Sequence, residues 1–228
     1  MKSNHTAIEP GTATDDWLLW QLADSAFPTG GFAHSGGLEA AWQHGEVRTS
    51  AEIQEFVHAG LTQLLNGIFP FMTAAHETPG QYSELDIACD SFLTNHVANR
   101  ASRLQGRALL ASATRIFGEA HFSSEWQAEY AHLAPIFGFV MRKLAVEHAR
   151  ASRLFVFWHL RGWLASAVRL GLIGPNEAQS MQHGLGIFAE ELLKRFERKK
   201  TSAPFQTAPL LEIWQGAHDR LYSRLFQS

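Results

Sequence analysis

The chain has 228 residues, 46% of them hydrophobic, and 19 basic side chains against 22 acidic ones give a net charge of −3. That apolar fraction with nearly balanced charge excludes intrinsic disorder, and the lack of a basic excess argues against non-specific nucleic-acid binding. One cysteine, Cys89, excludes a disulfide framework and any multi-cysteine metal site, and points to a reducing compartment, the cytoplasm.

In chain order, residues Met1 to Asp16 are polar and lack the apolar run of a secretory signal, which predicts a disordered lead-in ahead of a helical core domain over 17–200. Helices are expected over Trp17 to Ala26 and Leu38 to His44. Thr49-Ser50-Ala51-Glu52 is a capping-box sequence. Behind it Ile53, Phe56, Val57, Leu61, Leu64, Leu65 and Ile68 form one apolar stripe, which Pro70 is expected to kink or end. A further stripe runs from Ser83 through Leu85, Ala88, Cys89, Phe92, Leu93, His96 and Val97. Helical patterns follow over Ala101 to Phe117, ended by Gly118, and from Ser123 or Ser124. Leu154 to Ile173 is the most hydrophobic stretch, yet His159, Arg161 and Arg169 interrupt it. Each arginine would cost roughly 2.5–3.5 kcal/mol on membrane insertion, so a buried helix is predicted and no membrane partner. Gly174-Pro175 opens another helix, which ends in the cations Lys194, Arg195, Arg198, Lys199 and Lys200, favoured there by the helix dipole. Thr201 to Ala208 reads as a Pro-containing linker. After Pro209, Leu210, Ile213, Trp214, Ala217, Leu221 and Leu225 predict a last amphipathic helix, so that 201–228 is a linker with a partner-binding helix. The fold class is therefore all-α: a single domain of about eight to ten helices in a compact bundle, with strand content near zero.

The familiar chemistries find little support. No Gly-rich phosphate loop ends in Lys-Ser/Thr, and Gly184 to Ala189 matches a dinucleotide pattern only inside a helix. Cys89 lies on an apolar stripe, where an inert thiol is the default. No two histidines stand three or four residues apart. Two Glu-x-x-His pairs, Glu55/His58 and Glu129/His132, match the spacing of helical di-iron carboxylate sites and keep alive a di-iron or haem-oxygenase-like enzyme as the alternative function. Chance accounts for such pairs, so no metal site is predicted. Isolated histidines such as His159 are expected to be buried with a backbone partner.

Residues Ala26 to Glu39, AFPTGGFAHSGGLE, do not look like scaffold. Gly30 and Gly31 allow close backbone approach, Ser35 is placed to cap the second helix, and Glu39 falls in its first turn. Phe27 and Phe32 beside flexible glycines suit a partner-binding surface. The segment Trp20 to Glu39 (WQLADSAFPTGGFAHSGGLE) resembles the N-terminal motif of the UreF family of urease accessory proteins. Arg100 to Arg107 (RASRLQGR), Pro135 to Gly138 (PIFG), Ala167 to Gly171 (AVRLG) and the terminal His218 to Ser228 (HDRLYSRLFQS) resemble its later blocks, in the family order. Two departures stand out: Gly36, where the family more often carries a larger residue, and the polar stretch Arg142, Lys143, Glu147, Arg150, Arg153.

The resemblance implies a helical, non-enzymatic, homodimeric adaptor. It would bridge the scaffold accessory protein UreD (also called UreH) and the GTPase UreG, modulating GTP hydrolysis so that nickel enters apo-urease. No cofactor is implied, nickel being cargo handled by the assembled complex, and no nucleic acid or membrane is a partner. Partner-binding residues implied by the matched blocks are Pro28, Gly30, Gly31, Phe32, Ser35, Glu39, Arg103, Gln105, Gly106, Arg169, His218, Tyr222, Arg224, Leu225 and Phe226. The C-terminal helix and tail would dock on the scaffold protein. The loop with Arg169 would serve the GTPase-facing or the dimer surface.

Overall fold

The computed structural model describes residues 13–122, 128–199 and 203–228. Among these residues the chain forms ten α-helices and short 3₁₀ turns, with no strand: α1 (Ala13–Ala23), α2 (Leu38–Gln43), α3 (Ser50–Asn66), α4 (Phe69–Glu77), α5 (Tyr82–Phe92), α6 (His96–Phe117), α7 (Leu133–Lys143), α8 (His148–Arg169), α9 (Pro175–Lys199) and α10 (Pro209–Ala217). The helix expected from Ser123 or Ser124 starts outside the described residues.

The sequence of α7, Leu-Ala-Pro-Ile-Phe-Gly-Phe-Val-Met, is apolar all round, and Leu133 to Met141 are all buried. A helix without a polar face must sit at the centre of the bundle. It crosses α4 at close range because Gly138 has no side chain: a Cβ there would overlap the Met72 carbonyl oxygen. Helices α4, α5, α6 and α8 surround it, and α3, α8 and α9 pack as a second group beside it. Phe69, Phe137 and Phe155 meet in the shared core, with centroids 5.0 Å apart for Phe137–Phe155 and 6.2 Å for Phe69–Phe155. Helix α8 holds the stretch that tempted a membrane assignment, and no helix among the described residues is long and apolar enough to cross a membrane.

Local chemistry moves several expected boundaries. The capping box of α3 forms as spaced, with the Glu52 amide donating to Thr49 Oγ1 at 3.3 Å and the Thr49 amide donating to the Glu52 carboxylate at 2.8 Å. Pro70 does not end that helix: α3 stops at Asn66, Gly67 caps it, and Pro70 sits in the first turn of α4. There its missing N–H costs nothing. The stripe drawn from Ser83 to Val97 is also two helices. Asn95 accepts hydrogen bonds from the Val97 and Ala98 amides and starts α6, and this cap wins over the continuous apolar pattern. The last helix is shorter than its stripe: α10 ends at Ala217, a 3₁₀ turn covers His218–Arg220, and Leu221 and Leu225 lie on non-helical chain.

Candidate partner-binding site

The glycine-rich loop and the chain end are built into each other. Gly30, Gly36 and Gly37 take φ of 73°, 62° and 93°, the left-handed region that side chains avoid. Gly36 has a second reason to lack a side chain: a Cβ would lie 2.5 Å from Trp163 Nε1, and one on Gly60 would lie 2.8 Å from the far edge of the same indole. Trp163 of α8 is thus wedged between the loop and α3, which accounts for glycine at position 36 in this chain. Ser35 does not serve as the N-cap, which is Gly37; its hydroxyl receives the Glu39 amide only at 3.4 Å.

The tail lies along this loop as extended chain. The Gln227 amide donates to the Ala33 carbonyl at 2.8 Å, and the Ser35 amide donates to the Ser228 carbonyl at 2.6 Å. Ser35 Oγ donates to the same carbonyl at 3.1 Å, and His34 Nδ1 lies 2.6 Å from Ser228 Oγ. Beneath them Glu39 is buried, 1% exposed, and accepts three hydrogen bonds: from Leu225 N at 2.6 Å, Phe226 N at 3.2 Å and His218 Nε2 at 3.1 Å. His218 faces Glu39 through Nε2, and its buried Nδ1 has no partner among the described residues. Arg169, at the end of α8, donates to the Phe32 carbonyl and stacks its guanidinium 4.3 Å from the Phe226 ring centre. Burial, then the charge of Arg100 and the proximity of His218, hold the His34 pKa down at about 4.

The predicted residues therefore divide by where they lie. Ser35, Glu39, His218 and Phe226 are buried in this clasp, and Arg169 spans it, so they join loop and tail from within. Phe32, Tyr222 and Leu225 are 73%, 105% and 53% exposed, and Pro28 and Arg224 are exposed too. Phe27, expected beside Phe32 at the surface, is instead buried and stacks on Phe117 at 6.4 Å. The end of the expected linker is also tied down: Gln63 Oε1 accepts from Thr207 N, Thr207 Oγ1 and Ala208 N at 2.5, 3.0 and 3.1 Å.

The central block serves a different joint. Gly106 is not at a surface; a Cβ there would overlap the Ala131 carbonyl oxygen, so glycine lets α6 touch the turn that starts α7. In that turn Ala131 takes φ 65°. Asp86 holds it with one carboxylate accepting the Tyr130, Ala131 and His132 amides at 2.9, 2.9 and 2.8 Å. Arg103 lies 5.1 Å from the Tyr130 ring centre, while Gln105 faces the other way, beside Gly31 of the loop. Sequence reasoning missed Asp86, Asp90 and Ser102, and singled out His132 only as half of a Glu-x-x-His pair. A lone Asp beside the apolar stripe that starts at Ser83 gave no sign of a long-range role.

Ser102 Oγ, His132 and Asp90 stand in line, 3.1 Å and 3.0 Å apart, which resembles a nucleophilic relay. The Ser102 oxygen already accepts the Leu133 amide at 3.1 Å, so the line reads as a tie between α5, α6 and α7. The di-iron alternative is not favoured either. Glu129 and His132 are not on one helix, both His132 nitrogens are engaged, and His58 packs edge-on to Phe188 at 4.4 Å. No cluster of three or more metal-ligating side chains occurs among the described residues. Cys89 is buried, and burial followed by the Asp86 and Asp90 charges pushes its thiol pKa far up. His159 Nδ1 donates to the Phe155 carbonyl at 2.8 Å, the backbone partner expected of it.

A cavity of about 550 Å³ opens beside the loop, walled by Phe92, Leu93, Trp158, Trp163, Gln105 and Ser228 among others. Fold and site together define an all-helical protein whose most elaborate local structure is the seating of its own C-terminal segment. A family model described as UreF matches residues 47–186. The chain is 37% identical over 221 residues to urease accessory protein F of Arabidopsis thaliana, covering 93% of this chain and 92% of that one. It is 36% identical over 219 residues to urease accessory protein F of Oryza sativa subsp. japonica, covering 92% and 84%. At 29% identity over 233 residues it also matches a UreF-like urease accessory protein of Schizosaccharomyces pombe, covering 94% and 98%. The chain belongs to the UreF family of urease accessory proteins.

Proposed function

We propose that this protein acts in urease maturation as a non-enzymatic, cytoplasmic adaptor, joining the scaffold accessory protein UreD/UreH to the GTPase UreG and tuning GTP hydrolysis as nickel is delivered to apo-urease. The observation that carries it is the C-terminal segment. It is fixed from inside by Glu39, Ser35 and Arg169, yet it leaves Leu210 (59% exposed), Ile213 (63%), Tyr222 and Leu225 uncovered. Large apolar side chains held rigid at a surface lose little entropy on docking, the property of binding hot spots. We assign this face to the scaffold protein. The loop side, with Pro28, Phe32 and Gln105, remains for the GTPase or for a second copy of the chain.

The test is co-purification with UreD/UreH and UreG candidates, with and without GTP and nickel. Removing Ser223 to Ser228 should abolish capture of the scaffold protein while the far-UV spectrum stays helical. A Tyr222→Ala, Leu225→Ala variant, which spares every buried contact of the clasp, should weaken capture at least tenfold, since hot-spot truncations cost about 2 kcal/mol or more. Undiminished capture by both variants would remove the tail assignment.

A further inference from the structure

Helix α6 carries no acidic residue from His96 to Phe117, while four arginines project from it. At 3.6 residues per turn, Arg100, Leu104, Arg107, Ala111 and Arg115 fall on one face. Leu104 is 41% exposed and the others are exposed as well, while Ser102, Gly106, Leu109 and Ala113 on the opposite face are buried. The first arginine of this row already holds a carboxylate. Asp219, in the turn after α10, takes two hydrogen bonds from Arg100 at 2.7 and 2.9 Å and lies 3.2 Å from His96 Nε2. No ion pair joins Arg107 or Arg115 to another described residue; Glu119 and Glu129 stand in the same shallow hollow as both. They follow Arg100 by seven and fifteen residues, which is roughly 10 Å and 22 Å along the helix axis. The loop touches this helix at its flank, where Ser112 Oγ donates to the Pro28 carbonyl at 2.8 Å.

We propose that the outer face of α6 docks an acidic amphipathic helix of a protein partner, its carboxylates on Arg107 and Arg115 and its apolar stripe over Leu104 and Ala111. Charge complementarity selects the occupant. The α6 side chains on this face are arginine, leucine and alanine, Glu119 and Glu129 line the hollow without pairing with Arg107 or Arg115, and Asp219 on Arg100 shows the kind of group the row accepts. The alternation of arginine with leucine and alanine fits a helix better than a phosphate backbone, and the net charge of −3 disfavours nucleic acid. The row starts where Asp219, which also pairs with Arg224 of the tail at 3.4 Å, holds Arg100. This inference rests on the adaptor function proposed above.

The test uses the full-length chain with Arg107→Glu and Arg115→Glu together, measured against each of the two accessory partners over a range of salt. For one of them, association should slow about tenfold at low salt and lose most of its salt dependence, as charge-steered docking requires. The Arg107→Lys, Arg115→Lys variant should bind nearly as the parent does. Should the glutamates disturb folding, Arg107→Gln with Arg115→Gln removes the charges without repulsion, and the same slowing is expected. Unchanged association with both partners in folded variants overturns this surface and leaves the adaptor function standing. A parent chain that binds neither partner overturns both. Retention of duplex DNA that is lost only in the glutamate variant, with partner binding intact, would assign the row to nucleic acid and also overturn the proposal.

Discussion

Two buried carboxylates in this molecule do the same work in different settings. Asp86 gathers three backbone amides of the turn before α7, and Glu39 gathers two amides of the tail and the His218 imidazole. Each satisfies its lone pairs with donors remote in sequence, about 45 residues away for Asp86 and about 180 for Glu39. What differs is the far side of the gripped segment. The Asp86 turn is followed by α7, buried from Leu133 to Met141, so losing the grip exposes the core. The Glu39 tail has solvent on its outer side, with Tyr222 and Leu225 exposed, so losing the grip frees a surface. One carboxylate secures the fold and the other secures the presentation of a segment.

The largest expected effect belongs to the first. Asp86→Ala leaves the buried Ala131 and His132 amides and the half-buried Tyr130 amide without their acceptor, and at about 1–3 kcal/mol for each unsatisfied buried group the loss is about 3 kcal/mol or more. For a chain of this size that lowers Tm by roughly 10 °C or more. Thermal unfolding followed by circular dichroism checks it, and a loss as small as that of a surface change would sink the distinction drawn between the two anchors. Gly106→Ala acts on the same joint by overlap with the Ala131 carbonyl, and overpacking of this kind costs about 1–3 kcal/mol.

Glu39→Gln should separate the two anchors. The amide offers one acceptor and turns its own N–H groups toward donors, so the tail loses its grip while α3 to α9 stay packed. We expect hydrogen exchange at Leu225 and Phe226 to approach that of free chain, with a fall in Tm less than half that of Asp86→Ala. A global loss of protection would show that the tail belongs to the core after all.

Acid should act on the clasp with a definite sign. His34 is held at about 4 against an unperturbed 6.5, chiefly by burial and then by Arg100 and His218. The unfolded chain therefore binds a proton that the folded one refuses. The stabilisation from His34 is complete above about 6.5 and is lost as pH falls from there to about 4. His76, His132 and His159 are lowered too, in each case mainly by burial, and add slope of the same sign. Denaturant unfolding between pH 7.5 and 4.5 should show stability falling with acidification, and exchange at the tail amides should rise over the same interval. His34→Asn should flatten the tail response and leave the global one.

Much of this was legible in the sequence, and the limits have physical reasons. Helical periodicity and the Thr49 capping box gave the all-α class and the start of α3, because both signals are local. The two missed breaks, at Gly67 and at Leu93 to Asn95, lie within stripes whose apolar spacing continues across them; only a cap or a helix restart marks them. The family-like loop and tail blocks drew attention to two segments that pack on each other, but not to the division of their residues into buried ones such as Glu39 and exposed ones such as Tyr222. Which side of a glycine-rich loop faces inward depends on Trp163, Arg169 and Ser228, all more than a hundred residues away. The Asp86 anchor was invisible for the same reason: its partners are set by the approach of α5 to the α7 turn.

The smallest effect is expected where the chain end begins its return. Gln63 receives the Thr207 amide, the Thr207 hydroxyl and the Ala208 amide on one oxygen, and the Phe205 amide meets the Asn66 carbonyl at 2.9 Å. These bonds are near solvent, so water replaces them cheaply, and Gln63→Ala should cost about 1 kcal/mol or less. Its value lies in comparison with Glu39→Gln. If linker and tail are separate latches, the double variant loses the sum of the two effects, and the Leu225 and Phe226 amides remain protected in Gln63→Ala alone. If the segment from Phe205 to Ser228 docks as one unit, freeing the linker exposes the tail amides as well, and the pair shows a coupling of about 0.5 kcal/mol or more. Exchange rates read amide by amide in the three variants decide between these outcomes.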